Sequence, residues 1–97
     1  MPNDTLTILM ADDDEDDRLL TRDALAEGKV LNRVEFVENG LQLWQYLTAQ
    51  APYDDRERYP LPSLVLLDLN MPIMDGREVL QKMKAHPNLK RIPVVIL

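Results

Sequence analysis

Four short apolar runs punctuate the chain, separated by segments whose apolar residues recur at helical spacing. Thr5 to Ala11 reads as a first strand, Val34 to Val37 as a second, Leu64 to Leu67 as a third and Pro93 to Leu97 as a fourth. Short runs with little polar alternation suit strands buried on both faces, as in a parallel sheet. After the first run, Asp14 is a good N-cap for a helix from about Glu15 to Glu27, with Gly28 as its stop and Leu20, Ala24 and Leu25 facing inward. Asn39-Gly40 opens a second helix in which Leu43, Trp44 and Leu47 lie at core spacing, and Trp44 is read as structural. Asp75-Gly76 leads into a third helix, with Val79, Leu80 and Met83 inward and an end near His86-Pro87. Ala51 to Ser63 carries Pro52, Pro60 and Pro62 and the mixed run Asp54-Asp55-Arg56-Glu57-Arg58, and reads as a solvated surface loop.

The order β-α-β-α-β-α-β predicts an α/β fold, a flavodoxin-like doubly wound parallel sheet with the first strand beside the third and helices on both faces. Such sheets collect ligands at the C-terminal strand tips, where the strand order reverses. The third run ends in Asp68, and the first ends in Asp12-Asp13. Neighbouring strands lie about 4.8 Å apart, so these three carboxylates converge in one pocket. Pro72, which cannot continue a ladder, then turns the chain away.

Carboxylates brought together from separate strands repel one another and must take up protons or bind a cation. An all-oxygen set without His or Cys suits a hard divalent ion, Mg²⁺ before Zn²⁺. A strand-tip carboxylate beside such an ion can attack a phosphorus centre and form an aspartyl phosphate. Asp68 is the best nucleophile because it stands alone at its strand end, while Asp12 and Asp13 form the metal-holding side.

Composition narrows the classes further. Ninety-seven residues make one domain, and a hydrophobic fraction of 45% is that of a globular core. A formal net charge of -6 argues against nucleic-acid and anionic-membrane surfaces, which call for clustered Lys and Arg. The absence of cysteine excludes disulfides, thiol catalysis and thiolate metal sites. With no leader-like or membrane-spanning segment in the sequence, a cytoplasmic domain is the expectation.

Plainer readings account for several conspicuous residues. Asp14 to Asp17 are a charged helix start, where carboxylates favour the positive end of the dipole. The acidic run also resembles the opening of a calcium loop, but Asp17 stands where the sharp-turn Gly belongs and Asp23 where a bidentate Glu is expected. His86, the single histidine, is a helix-end or surface group, and Met71 and Met74 pack the turn after Asp68. A phosphatase with an aspartate nucleophile needs a second acid two residues on to protonate the leaving group, and that place holds Asn70.

Taken together, Ile8-Leu9-Met10-Ala11-Asp12-Asp13, Leu66-Leu67-Asp68-Leu69-Asn70-Met71-Pro72, Met74-Asp75-Gly76 and Pro93-Val94-Val95-Ile96-Leu97 resemble the receiver domain of two-component response regulators. The resemblance implies that Asp68 accepts a phosphoryl group from a sensor histidine kinase or phosphotransfer protein. It implies a Mg²⁺ held by Asp13, Asp68 and the backbone carbonyl of Asn70, with Asp12 acting largely through water. The acidic Asp16-Asp17-Arg18 helix start and the long loop before the third strand resemble single-domain receivers partnered with phytochrome-type kinases. Receivers continue from the fourth strand into a Ser or Thr, then a fifth strand with a Lys, then a final helix. The expectation is therefore a receiver domain over 1–97, truncated after the fourth strand. Its uncovered last strand invites homodimerisation or strand exchange.

Overall fold

The computed structural model describes residues 6–28 and 33–97. Strands β1 (Thr7–Ala11), β2 (Arg33–Val37), β3 (Leu64–Leu67) and β4 (Val94–Ile96) alternate with helices α1 (Glu15–Glu27), α2 (Gly40–Leu47) and α3 (Gly76–Ala85). The four strands form one parallel sheet in the order β2-β1-β3-β4, so the first strand lies beside the third as the crossover argument requires. The expected first residue of β1, Thr5, lies outside the described residues. β4 is shorter than the sequence pattern implied, although the Leu97 N–H still donates to the Leu67 carbonyl at 2.9 Å.

The two faces of the sheet are covered unequally. Leu9, Ala11, Val37, Val65 and Leu67 point to one face and pack with Leu43, Tyr46 and Leu47 of α2 and Val79 and Met83 of α3. Met71 is buried in the same cluster and Met74 packs against it, as expected of the turn after β3. The opposite face carries Ile8 and Met10, in register with Val34 and Phe36 of β2, and takes α1, whose Arg22 guanidinium lies 4.7 Å above the Phe36 ring.

The inward stripe expected on α1 holds only at Leu25. Leu20 is 67% exposed and Ala24 is exposed, and no α1 residue is fully buried. The half-covered residues are Arg18, Thr21 and Leu25, at the spacing i, i+3, i+7. In this orientation the Arg18 side chain reaches back to the end of β1 while Leu19 and Leu20 face solvent.

The 51–63 connection is mostly exposed, but it is built rather than loose. Tyr46, Tyr53 and Tyr59 form a closed triangle with ring centroids 5.4, 5.8 and 5.1 Å apart. Arg56 sits beneath it and donates to the carbonyls of Tyr46, Leu47 and Tyr59 at 3.0, 2.9 and 3.1 Å. Two of those carbonyls belong to the last turn of α2, where the Tyr46 carbonyl also accepts the Ala49 N–H at 3.2 Å. Trp44 is only half-buried, packed on the core with His86 edge-on and Lys82 over its ring. Tyr46, 1% exposed, is the aromatic residue that α2 buries.

Candidate functional site

At the C-terminal end of β1 the chain turns from strand to helix within three residues. Asp12 still belongs to the sheet, its N–H donating to the Val37 carbonyl at 3.2 Å. Its Oδ1 accepts the Asp14 N–H at 2.9 Å, and Asp14 in turn N-caps α1 through the N–H groups of Asp16 and Asp17. Asp12 is therefore 4% exposed, whereas Asp13, next along the chain, is exposed and accepts no hydrogen bond among the described residues.

The neighbouring strand delivers the third carboxylate. The Asp68 N–H donates to the Ala11 carbonyl at 3.0 Å, which sets Asp68 one step beyond the β1–β3 ladder and level with Asp12. Its Oδ1 accepts the Asn70 N–H at 3.0 Å, tightening the turn and fixing Asn70 beside the cluster. Carboxylate oxygens of Asp12, Asp13 and Asp68 all lie within 4.8 Å of one another.

Two glycines hold this edge together. Gly76 begins α3 so close to β3 that a Cβ there would stand 2.7 Å from the Asp68 carbonyl oxygen and 2.9 Å from the Leu69 Cα. Its N–H donates to Leu69, and Asp75 caps the helix by accepting the Arg77 N–H at 2.7 Å. Gly40, at the start of α2, presses on the same loop from the other side, where a Cβ would fall 1.8 Å from the Met74 carbonyl oxygen. The sequence marked Gly40 only as a helix start, and its contact with the β3–α3 loop depends on tertiary packing.

The electrostatics of the cluster are unbalanced. Burial raises the Asp12 carboxyl above its ordinary value, and the nearby charges of Asp68, Asp17 and Asp13 push the same way against the Asp14 N–H. Among the described residues no Lys or Arg side chain forms an ion pair with Asp12, Asp13 or Asp68. An oxygen-only donor set with buried and exposed carboxylates at this spacing fits a hard divalent cation that keeps part of its water. His86, by contrast, is the C-cap of α3 and accepts the Asn88 N–H on Nδ1, which confirms that it belongs to the scaffold.

The response regulator receiver domain family matches residues 8–97, an interval that contains all of the acidic edge. The chain belongs to that family. It is 40% identical to response regulator Rcp1 of Synechocystis over 95 residues, 98% of this chain and 63% of that protein. The crystal structure of the phosphorylated cyanobacterial phytochrome response regulator RcpA superposes with a TM-score of 0.86 at 40% identity, covering 95% of this chain and 64% of that one. The Mn²⁺-bound form of Rcp1 gives the same TM-score at 40% identity over 94% of this chain and 63% of that one. The receiver chain thus spans less than two thirds of the length of these relatives. No helix among its described residues is long and apolar enough to cross a membrane.

Proposed function

We propose that Asp68 is the phosphoacceptor of this receiver domain and that Asp12, Asp13, Asp68 and the Asn70 carbonyl hold the Mg²⁺ that phosphorylation requires. The observation that carries the reading is the convergence of three carboxylates from two adjacent strand tips within 4.8 Å, with no cationic side chain paired to them among the described residues. The Asn70 N–H holds one oxygen of Asp68, fixing the carboxylate for attack by the other. That oxygen forms the new P–O bond as the bond from phosphorus to the donor nitrogen breaks, and the released imidazole takes up a proton. Mg²⁺, when bound, offsets charge on the transferring phosphoryl oxygens.

The phosphodonor that fits is a sensor histidine kinase or a phosphotransfer protein, and the similarity to RcpA supports a phytochrome-type kinase. The role is that of a signalling switch rather than an enzyme with an external substrate, working in the cytoplasm with neither nucleic acid nor membrane as its partner. Residues 1–97 form the metal-holding part of the receiver domain, with four strands and three helices among the described residues. The outer edge of β4, with Val95, Ile96 and Leu97 exposed, is open to homodimerisation or strand exchange, which sedimentation over a concentration series tests.

The phosphoacceptor reading is tested by incubating the chain with a small phosphodonor and Mg²⁺ and measuring its intact mass. One phosphoryl group is expected, stable in acid and lost in base, and absent when Mg²⁺ is chelated. An adduct that persists in Asp68→Asn, or none in the wild type, sinks the assignment.

A further inference from the structure

We propose that Arg18 is a positioning residue for the metal site, acting on Asp13 through the peptide that joins Asp12 to Asp13. This rests on the reading that the acidic edge holds a divalent ion. The Arg18 Nη1 donates to the Asp12 carbonyl oxygen at 2.7 Å, while its Nη2 pairs with Glu38 just past β2 at 3.5 Å. Its side chain is 15% exposed against 64% for Glu38, so the guanidinium is the inner member of the pair.

The contact completes a set. The Asp12 N–H is held by Val37, its Oδ1 by the Asp14 N–H, and its carbonyl by Arg18. The peptide group is planar, so fixing the Asp12 carbonyl fixes the plane from which the Asp13 Cα departs. The Asp13 carboxylate has no hydrogen bond of its own among the described residues, so that plane is what the fold fixes of its approach to the cluster, and its side-chain torsions adjust from there. Arg18 spends a partly buried guanidinium on a backbone oxygen at the strand tip, although three carboxylates stand close by. The bond orients the site without neutralising it. It is consistent with the face of α1 that carries Arg18, Thr21 and Leu25 being the half-covered one.

Orientation and charge predict opposite signs, which makes the idea testable. Loss of a cation near the cluster tightens divalent binding, whereas loss of orientation weakens it. The measurement is Mn²⁺ affinity of the 97-residue chain, followed by the electron paramagnetic resonance of free Mn²⁺ at a temperature where circular dichroism shows each variant folded. Partners that orient ligands cost about 10- to 100-fold in metal affinity when removed, and Arg18→Met is expected near the tenfold end. Arg18→Gln is shorter and uncharged, gives a similar loss, and stands in if the Met variant does not fold. Arg18→Lys keeps a donor on a long stem and recovers part of the affinity. Arg22→Met, on the same helix, loses its stack on Phe36 without touching Asp12 and leaves the affinity at wild-type level.

Unchanged or tighter binding by both Arg18→Met and Arg18→Gln overturns the proposal, as does an equal loss in Arg22→Met. A wild-type chain that binds no Mn²⁺ overturns this proposal and the metal reading together. Wild-type binding with unaltered Arg18 variants overturns this one alone.

Discussion

Helix α2 touches both of the regions that define this molecule, and they are built on opposite terms. Its N-terminus, at Gly40, belongs to the acidic edge, where carboxylates crowd without a paired cation and backbones approach closer than a side chain allows. Its C-terminus belongs to the tyrosine clamp, where three rings close on one another and Arg56 bonds the carbonyls of the last turn. The clamp adds burial and hydrogen bonds, whereas the acidic edge gathers like charges, one of them on a buried carboxyl. One helix therefore joins a tightly bonded end to a crowded, like-charged one.

The strongest way to break the contrast is to remove the ring at the centre of the clamp. Tyr46 is buried, and its hydroxyl donates to the Pro60 carbonyl at 2.9 Å. Tyr46→Ala is expected to lower unfolding free energy by about 3–5 kcal/mol, as for other large buried aromatics. Tyr46→Phe, which loses only the hydrogen bond, should cost about 1 kcal/mol. Denaturant titration separates the two, and equal effects would deny the rings their role. Burial also pushes the Tyr46 hydroxyl up to about 12, with the charge of Glu35 adding to it. The folded state then holds that proton more tightly than the unfolded state. The stability this brings is complete below about pH 10 and lost as pH rises towards 12. Tyr46→Phe should flatten that alkaline decline.

Next in size is the other end of the helix. A methyl group at Gly40 meets a backbone oxygen, not a side chain that can swing aside, so either α2 or the β3–α3 loop must shift. Gly40→Ala is expected at or above the top of the about 1–3 kcal/mol range for overpacking. It should also weaken divalent-ion binding, because the displaced loop carries Asn70. An alanine variant that is less stable but binds Mn²⁺ as the wild type does would show that the Gly40 contact does not position the ion-binding loop.

How far the sequence revealed these two regions depends on how local their signals are. Asp68, Asp12 and Asp13 were legible because apolar runs mark strands, and the handedness of the crossovers then puts the first strand beside the third. Tyr46 was also within reach, since Leu43, Tyr46 and Leu47 make an i, i+3, i+4 stripe, whereas the spacing had suggested Trp44 for that place. Arg56 and Arg18 could not be read in the same way. Each sits among acidic residues and looks like part of a solvated charge run. What draws each inward is a backbone carbonyl supplied by another element, and no pattern of side chains records that.

The cost of the acidic edge can be measured directly. Burial and like charges raise the Asp12 carboxyl, so the folded state binds its proton more tightly than the unfolded chain does. This contributes stability below the ordinary carboxylate range that disappears as pH rises through the raised value. At neutral pH without divalent ions, Asp12→Asn should therefore melt a few degrees above the wild type. The gap should close on acidification, as Asp12 becomes protonated in the wild type. Added Mg²⁺ should also narrow or reverse it, because the wild type gains more from the ion. A variant less stable than the wild type in chelator at neutral pH would mean that the edge is not under electrostatic strain.

The smallest effect is at Ile73, in the loop that carries Asn70. This residue holds a left-handed φ of 72° while it is 75% exposed. A β-branched residue is strained in that region, and so little of this one is buried that packing returns almost nothing. Asparagine enters the left-handed region far more readily. Ile73→Asn is thus expected to stabilise the chain by about 0.5–1 kcal/mol, a fraction of the strain typical of such positions. If the strain serves to hold the loop in the geometry that Asn70 needs, the same variant should lose Mn²⁺ affinity while gaining stability. If both measurements improve together, the strain is incidental and the cost of the edge lies in its charges alone.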